Sequence, residues 1–293
     1  MDLSLEAIKH RSSVRSFDGR PLDPAEIMAL EMAFEECVPG PFGGRARFVL
    51  VSASAAGFGE SKDGGHSRTG KIGTYGLVTK VPAFLVGAIR KAPRALEDFG
   101  YAMEGLVLRA SDLGLDSCWI GGVFARNVTA KAIELCDDEF MPAIVALGRP
   151  AEKQTVVEFL TRVSARAGTR KPTECLFFDE DFETPLVIGE PWADVLEALR
   201  IGPSASNKQP WRILKSGKGI TPTLHLYLEE DKIYNSILGE IHLQNVDMGI
   251  AMRHLESACH ALDLPGSWTR LDTEPLHVSA PLSYIASWTS PLP

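Results

Sequence analysis

The chain lacks the patterns that mark membrane-spanning, exported and metal-binding proteins. No run approaches the roughly 18 apolar residues that a membrane helix needs, and the first residues, MDLSLEAIKHRSS, are not typical of a signal peptide. No Cys-x-x-Cys, His-x-His or His-x-x-x-His pair occurs, so neither a disulfide framework nor a metal site is expected. The five cysteines are Cys37, Cys118, Cys136, Cys175 and Cys259. We therefore expect a reduced, cytoplasmic protein that does not enter the membrane.

An excess of positive charge is also missing. The chain has 30 Lys and Arg residues against 38 Asp and Glu residues, and its formal net charge is −8. An acidic chain does not attract phosphate backbones, so we expect no nucleic-acid partner. No Gly-x-Gly-x-x-Gly fingerprint occurs, which argues against a dedicated dinucleotide-binding domain. The 45% hydrophobic and 23% charged residues indicate a globular protein with a sizeable core.

Short apolar strands alternate with helices along the chain. Residues 3–10 predict a first helix, and Asp23, Pro24 and Glu26 mark the start of a second helix that runs to about Cys37. Apolar runs at 47–52, 83–89 and 143–147 predict strands, and segments 98–113 and 129–135 predict helices. Segment 55–73 is rich in Gly, Ser and Lys and is typical of a loop. The pattern predicts an α+β protein.

The chain repeats itself. Asp98-Phe-Gly-Tyr-Ala-Met precedes Trp119 by the same 21 residues that separate Asp247-Met-Gly-Ile-Ala-Met from Trp268. Segment 48–52 likewise matches 211–215, and 143–147 matches 284–288. Chance similarity between two apolar helices is the alternative interpretation. We predict two homologous halves, 1–165 and 166–293, each with a small antiparallel or mixed sheet flanked by helices.

Two segments resemble the FMN-dependent nitroreductase family. Residues 11–17 read Arg-Ser-Ser-Val-Arg-Ser-Phe, and residues 203–211 read Pro-Ser-Ala-Ser-Asn-Lys-Gln-Pro-Trp, which is the more specific of the two. The first is similar to the family's Arg-x-Ser-x-basic segment, and the second to its Pro-Ser-x-x-Asn-x-Gln-Pro-Trp loop. Family members carry both segments in one half-sized chain. Here they lie in different halves, as in the tandem-duplicated branch of the family.

The resemblance implies an intramolecular pseudo-dimer with one FMN. Family enzymes are dimers that bind flavin at the interface, each site taking the two segments from different subunits. In the first half, Gly44 and Ala46 stand where the second half has Asn207 and Gln209. The second half has Arg-Lys-Pro-Thr-Glu-Cys at 170–175 in place of the Arg-Ser segment. We therefore expect one complete site per chain and a monomer in solution.

The resemblance also implies the roles of Arg11, Ser12, Ser13, Arg15 and Arg170. Arg11, Ser12 and Ser13 would bind the FMN phosphate, together with Arg170 from the second half. Arg15 would lie beside the pyrimidine ring and stabilise the reduced, anionic flavin. A solvated helix end for residues 11–13, a surface ion pair for Arg15 and a linker charge for Arg170 are the alternative interpretations.

The remaining predicted cofactor-binding residues are Gly121, Gly122, Pro203, Ser204, Ala205, Ser206, Asn207 and Gln209. By resemblance, the two glycines bring backbone N–H groups close to flavin N5, the atom that accepts hydride. Residues 203–206 would line one side of the flavin. The two amides would either bind polar edges of the flavin or hold their own loop, and the glycines could form an ordinary tight turn.

The activity that the resemblance implies is a ping-pong oxidoreduction. NAD(P)H passes hydride to flavin N5 and leaves, and a small electrophile such as a nitroaromatic or a quinone is then reduced. No catalytic side chain is needed, because the flavin supplies the chemistry. The alternatives are an FMN carrier or sensor without turnover, a specialised flavoenzyme such as a dehalogenase or an oxidase, and a pseudoenzyme without FMN. The 57–73 loop is either a lid or a plain insertion.

Overall fold

The computed structural model describes residues 3–36, 39–53, 78–122, 124–152, 169–217, 222–233 and 241–290. The helices are α1 (Leu5–His10), α2 (Pro24–Glu35), α3 (Ala95–Asp112), α4 (Arg126–Ala132), α5 (Trp192–Arg200) and α6 (Leu243–Ala261). The strands are β1 (Ala46–Ser52), β2 (Ala83–Arg90), β3 (Asp116–Ile120), β4 (Glu139–Phe140), β5 (Ile144–Gly148), β6 (Phe177–Asp179), β7 (Trp211–Ser216), β8 (Thr223–Glu229), β9 (Ser267–Thr269) and β10 (Leu282–Thr289). The predicted loop at 57–73 and most of the predicted boundary between the halves lie outside these described residues.

Local signals account for the start of α2. Asp23 and Glu26 form the predicted capping box, and Pro24 occupies the first turn. The helix ends at Glu35, and Cys37, where we expected its end, lies outside the described residues. Helix α4 begins at Arg126, three residues earlier than predicted. Its N-cap residue is Ala125, which has no capping side chain, so the sequence carries no start signal there.

Two five-stranded sheets are flanked by helices, which confirms the predicted α+β class. The first has the order β1-β2-β5-β3, with β4 paired to β2, and all its strands are antiparallel. The second has the order β6-β7-β8-β10-β9, with β6 parallel to β7 and the other pairs antiparallel. No helix in the described part of the chain is long and apolar enough to cross a membrane.

Helices α3 and α6 cross each other at two glycines. A Cβ atom added to Gly100 would lie 2.1 Å from the carbonyl oxygen of Val246. A Cβ atom added to Gly249 would lie 1.9 Å from the carbonyl oxygen of Glu97. Val246 stands three residues before Gly249, and Glu97 stands three residues before Gly100, so the contact is reciprocal. Reciprocal contacts of this kind are typical of an isologous interface between two equivalent elements.

The two aspartates of the repeat occupy matching places. Asp98 accepts hydrogen bonds from the backbone N–H groups of Phe42 and Gly44, at 2.8 and 2.6 Å, and so holds the loop before β1. Asp247 accepts one from the N–H of Ala205, at 2.9 Å, and holds the loop before β7. Each aspartate therefore fixes the loop that enters the first long strand of its own half.

Candidate functional site

A cavity of about 310 Å³ lies where the two halves meet. This volume lies at the lower end of the range of small-molecule sites. The first half contributes Ser13, Arg15, Cys118, Trp119, Ile120, Gly121, Gly122 and Ala143 to its walls. The second half contributes Pro203, Ser204, Ala205, Ser206, Leu243, Val246, Asp247 and Ile250. The structure thus brings both predicted segments, which lie far apart in the chain, to one cavity.

The Arg-Ser segment reaches the cavity along the edge of β3. Ser13 forms a parallel bridge with Ser117, whose carbonyl oxygen accepts a hydrogen bond from the N–H of Val14 at 2.9 Å. The Ser12 hydroxyl donates to Oδ1 of Asp116 at 2.9 Å. Ser12 is therefore occupied in holding the segment against β3.

Arg11 and Arg170 come from different halves and lie near each other. Burial lowers the pKa of both guanidinium groups, and the charge of Arg11 is the next largest cause for Arg170. Nη1 of Arg11 donates to the Ser13 hydroxyl at 3.4 Å, and its Nε is buried without a hydrogen-bond partner among the described residues. The negative charges of Glu104 and Asp116 favour the charged form of Arg11. Two neighbouring guanidinium groups, one with a donor to spare, fit an anion such as a phosphate.

The loop from Pro203 to Trp211 has an unusual backbone. Ser206, Asn207 and Gln209 all have left-handed conformations, with φ of 50°, 54° and 48°. Such residues are uncommon outside glycine and cluster at functional sites, where the surroundings impose them. Here the Ser204 hydroxyl accepts from the N–H of Gln209 at 2.9 Å, and Asp247 holds Ala205. Hydrogen bonds to residues of the second half therefore hold the loop in this conformation.

Asn207 and Gln209 bind the segment that carries Arg170. Oδ1 of Asn207 accepts from Arg170 at 3.3 Å, and its Nδ2 donates to the carbonyl oxygen of Thr169 at 3.0 Å. Oε1 of Gln209 accepts from the N–H of Lys171 at 2.8 Å. These contacts differ from both predicted roles of the two amides, because they hold the backbone of residues 169–171 and position Arg170.

The Gly121–Gly122 turn packs against the second half. A Cβ atom on Gly121 would lie 2.6 Å from Cδ1 of Leu243 on α6, so the absence of a side chain allows the two halves to approach. Arg126 holds the same turn. Its Nη2 donates to the carbonyl oxygens of Gly121 and Pro142, at 2.7 and 3.0 Å, and its Nη1 donates to that of Met141.

Replacing Arg126 by methionine is expected to lower the free energy of unfolding by about 2 kcal/mol. The change removes charge-assisted hydrogen bonds to three backbone carbonyl groups, each of which contributes more than a neutral bond. Urea denaturation measures the loss. Arg20→Met is the matched control, because the Arg20 side chain is 71% exposed and, among the described residues, forms its ion pair with Asp18. Equal stabilities of the two variants would show that Arg126 does not brace the turn.

Sequence reasoning missed the residues that α6 contributes. One face of α6 lines the cavity. It carries Leu243 and the residues three, four and seven positions after it, which are Val246, Asp247 and Ile250. Such a stripe in a buried helix is also the pattern of a core face, so spacing alone did not distinguish the two. Arg126 carried no local signal, because its partners lie at residues 121, 141 and 142. Within the described ranges, no group of three or more His, Cys, Asp or Glu residues could hold a metal ion.

The family follows from a sequence comparison. Residues 4–259 match the family model described as "Putative TM nitroreductase". Because this match spans most of the chain, the protein belongs to that nitroreductase family and so to the oxidoreductases. No curated protein sequence matches the chain.

One solved structure that matches nearly the whole chain has the same fold. A crystal structure described as a putative nitroreductase from Thermotoga maritima has a TM-score of 0.58 at 17% identity, covering 99% of this chain and 94% of that one. A nitroreductase family protein from Clostridium novyi NT matches 52% of this chain and 87% of its own, with 23% identity and a TM-score of 0.39. A protein described as an FMN-dependent nitroreductase from Clostridium difficile R20291 has 19% identity and a TM-score of 0.39. The match covers 51% of this chain and 88% of that one.

Proposed function

We propose that the protein binds one FMN in the cavity between its halves and reduces a small electrophile, such as a nitroaromatic or a quinone, with electrons from NAD(P)H. The observation that carries this proposal is the convergence of Ser13 and Arg15 from the first half with residues 203–206 from the second half on one cavity. These are the segments whose sequences resemble the flavin-binding segments of the family.

The residues present fit FMN. Its phosphate calls for charge-assisted donors, and Arg11 and Arg170 supply them from opposite halves. Its ring system calls for apolar walls with a few polar groups, and the cavity offers Leu243 and Ile250 together with Arg15. FMN, when bound, would supply hydride transfer from the nicotinamide to the substrate.

The chain itself would bind and orient the reactants. Arg15 lines the cavity with a permanent positive charge, which would stabilise negative charge on the cofactor. Arg126 holds the carbonyl side of the Gly121 turn, which would keep the N–H groups of this turn in place beside the cofactor. The contact between Gly121 and Leu243 closes the space behind the turn and would exclude water from it. No side-chain acid or base is required by this scheme.

The two halves would form an intramolecular pseudo-dimer with a single site. The reciprocal contacts of Gly100 and Gly249 support a two-fold relation between α3 and α6. In the first half, the loop that matches residues 205–207 lies against Asp98, whose oxygens are both occupied by backbone N–H groups. A Cβ atom on Gly44 would lie 2.6 Å from Oδ2 of Asp98, so this loop is tightly closed. We therefore propose that the protein is a monomer.

Flavin stoichiometry tests the proposal. We expect about one FMN per chain from the flavin absorbance of the purified complex. Arg11→Ala should weaken binding by about 10- to 100-fold, because each charge-assisted hydrogen bond contributes about 1.5–3 kcal/mol. Arg20→Ala is the control and should bind normally, because the Arg20 side chain is 71% exposed and is not among the residues that line the cavity.

The other outcomes are equally informative. Two FMN per chain would contradict the single site, and no binding would contradict the flavin proposal. Bleaching of the flavin by NADH or NADPH, followed by recovery with a quinone, distinguishes an enzyme from a carrier. A stable dimer in sedimentation would contradict the pseudo-dimer.

A further inference from the structure

Asp247 has an unused carboxyl oxygen in the wall of the cavity. The residue is 2% exposed and is one of those that line the cavity. Its Oδ1 accepts a hydrogen bond from the N–H of Ala205 at 2.9 Å. Its Oδ2 is buried and has no hydrogen-bond partner in the part of the chain that the structure describes. Buried polar atoms are nearly always paired, so this oxygen calls for an explanation.

The matching aspartate of the first half shows why the oxygen is unused. Asp98 holds its loop with both oxygens, since Gly44 donates to Oδ2 at 2.6 Å. Asn207 stands in the place of Gly44, and its N–H donates to the carbonyl oxygen of Ser204 at 2.9 Å. The left-handed turn at residues 206 and 207 thus directs this N–H away from Asp247. Both carboxyl oxygens of Asp98 therefore accept hydrogen bonds from the backbone of the first half. Among the described residues, only Oδ1 of Asp247 does so in the second half.

The environment of Asp247 decides which form of the carboxyl group is present. Burial raises its pKa to about 8, and the hydrogen bond from Ala205 opposes this rise. The titratable groups on the elements packed around it are Arg15 and Cys118 of the cavity wall and Glu97 and Tyr101 of α3. None of these is among the causes of the shift. At neutral pH the group therefore carries a proton, and a protonated carboxyl group is a hydrogen-bond donor.

We propose that Asp247 is a ligand-binding residue that donates a hydrogen bond from Oδ2 to an uncharged acceptor atom of the bound flavin. The acceptor is a hydroxyl oxygen, a ring carbonyl oxygen or a ring nitrogen. The inference rests on the proposed function, because it takes FMN as the occupant. It adds a neutral acid to a cavity wall that also carries Arg15.

The carboxyl proton of Asp247 determines how the affinity for FMN changes with pH. Donation requires the protonated form, which is present below the pKa of the free protein and lost as the pH rises through about 8. The affinity for FMN should therefore fall above this pH. Asp247→Asn keeps an acceptor for Ala205 and a donor for the ligand, and it has no proton to lose.

The test is a titration of the apoprotein with FMN, followed by flavin fluorescence, from about pH 6.5 to about pH 9.5. We expect the Kd of the wild type to rise at least about threefold between neutral pH and the upper end of this range. Asp247→Asn should bind like the wild type at neutral pH and show a flatter profile. Asp247→Ala should bind at least about fivefold more weakly at neutral pH, as expected when a hydrogen bond is lost. Titration of FMN itself is common to all the proteins and cancels in the comparison.

Asp98→Asn is the matched control, because it alters the equivalent aspartate without touching the cavity. It should keep the pH profile of the wild type, and circular dichroism confirms that each variant is folded. The same pH profile in Asp247→Asn as in the wild type, or undiminished binding by Asp247→Ala, would overturn this inference and leave the proposed function intact. A wild type that binds no FMN would overturn both.

Discussion

Replacing Gly249 by alanine is expected to lower the free energy of unfolding by about 3 kcal/mol. The new Cβ atom would lie 1.9 Å from the carbonyl oxygen of Glu97 and 2.6 Å from the amide nitrogen of Tyr101. Both are backbone atoms of α3, so no side chain can rotate to make room. Protein interiors are close-packed, and the two helices would have to separate along their whole contact.

The effect should appear in both stability and ligand binding. Helix α6 carries Leu243, Val246 and Asp247 to the cavity, so a shift of the helix displaces one cavity wall. Urea denaturation measures the free energy of unfolding. Titration with FMN measures how far the displaced wall weakens the affinity for FMN. Gly100→Ala should show a similar loss, because its Cβ atom would lie 2.1 Å from the carbonyl oxygen of Val246.

A matched control is available in Gly189. No atom lies within 4 Å of a Cβ atom added there, and the residue is exposed. Gly189→Ala should change the free energy of unfolding by less than about 0.5 kcal/mol. Wild-type stability in Gly249→Ala would show that the crossing of α3 and α6 is not a fixed contact, and it would remove the main support for the pseudo-dimer.

Replacing Glu104 by alanine is expected to cost about 3–5 kcal/mol of unfolding free energy. Glu104 and His254 are both fully buried and join the two halves, with Nε2 of His254 at 2.8 Å from Oε1 of Glu104. The other oxygen of Glu104 accepts from Nε1 of Trp119, a cavity residue, at 2.7 Å. The alanine variant would remove the partner of Nε2 of His254 and that of Nε1 of Trp119.

The chemistry of the pair suggests a milder variant. Nδ1 of His254 lies 2.9 Å from the carbonyl oxygen of Ala198, which can only accept, so Nδ1 carries a proton. One hydrogen is then shared between Nε2 of His254 and Oε1 of Glu104. Glutamine would supply that hydrogen from its amide and still accept from Trp119. Glu104→Gln should therefore cost less than about 1.5 kcal/mol.

An exposed Glu–His pair provides the comparison. Glu6 and His10 lie 3.8 Å apart on α1, and their side chains are 69% and 75% exposed. Glu6→Ala should change stability by less than about 0.5 kcal/mol, because exposed pairs contribute little. If Glu104→Ala and Glu104→Gln lost the same free energy of unfolding, the shared proton would be contradicted. If Glu104→Ala and Glu6→Ala lost the same amount, burial would not be the reason for the large effect.

The predictable parts of the site were those with a local or repeated pattern. Arg11, Ser13 and the 203–206 loop were recognised because short segments carry a specific order of residue types. The single-site prediction likewise came from Gly44 and Ala46 standing in place of an asparagine and a glutamine. The roles given to these residues are predictions.

Other features of the site depend on partners that are distant in the chain. Asn207 was expected at the flavin or within its own loop, and it holds Arg170, 37 positions away. Arg126 joins three carbonyl groups, one of them in the turn before α4 and two before β5. The spare oxygen of Asp247 exists only because the N–H of Asn207 turns away from it. Sequence patterns report side-chain types and spacing, and they do not report the direction in which a backbone group points.

The sequence by itself determined the α+β class and the segments that resemble a flavin site, and it predicted the two halves, because local propensity, hydrophobic period and repetition are properties of residue order. The tertiary structure decided how these segments meet. Gly100 and Gly249 allow α3 and α6 to touch, and this contact sets where the wall of the second half stands relative to Ser13 and Arg15 of the first half. Close packing and burial then selected which polar groups are paired and which, as at Asp247, are left for a ligand.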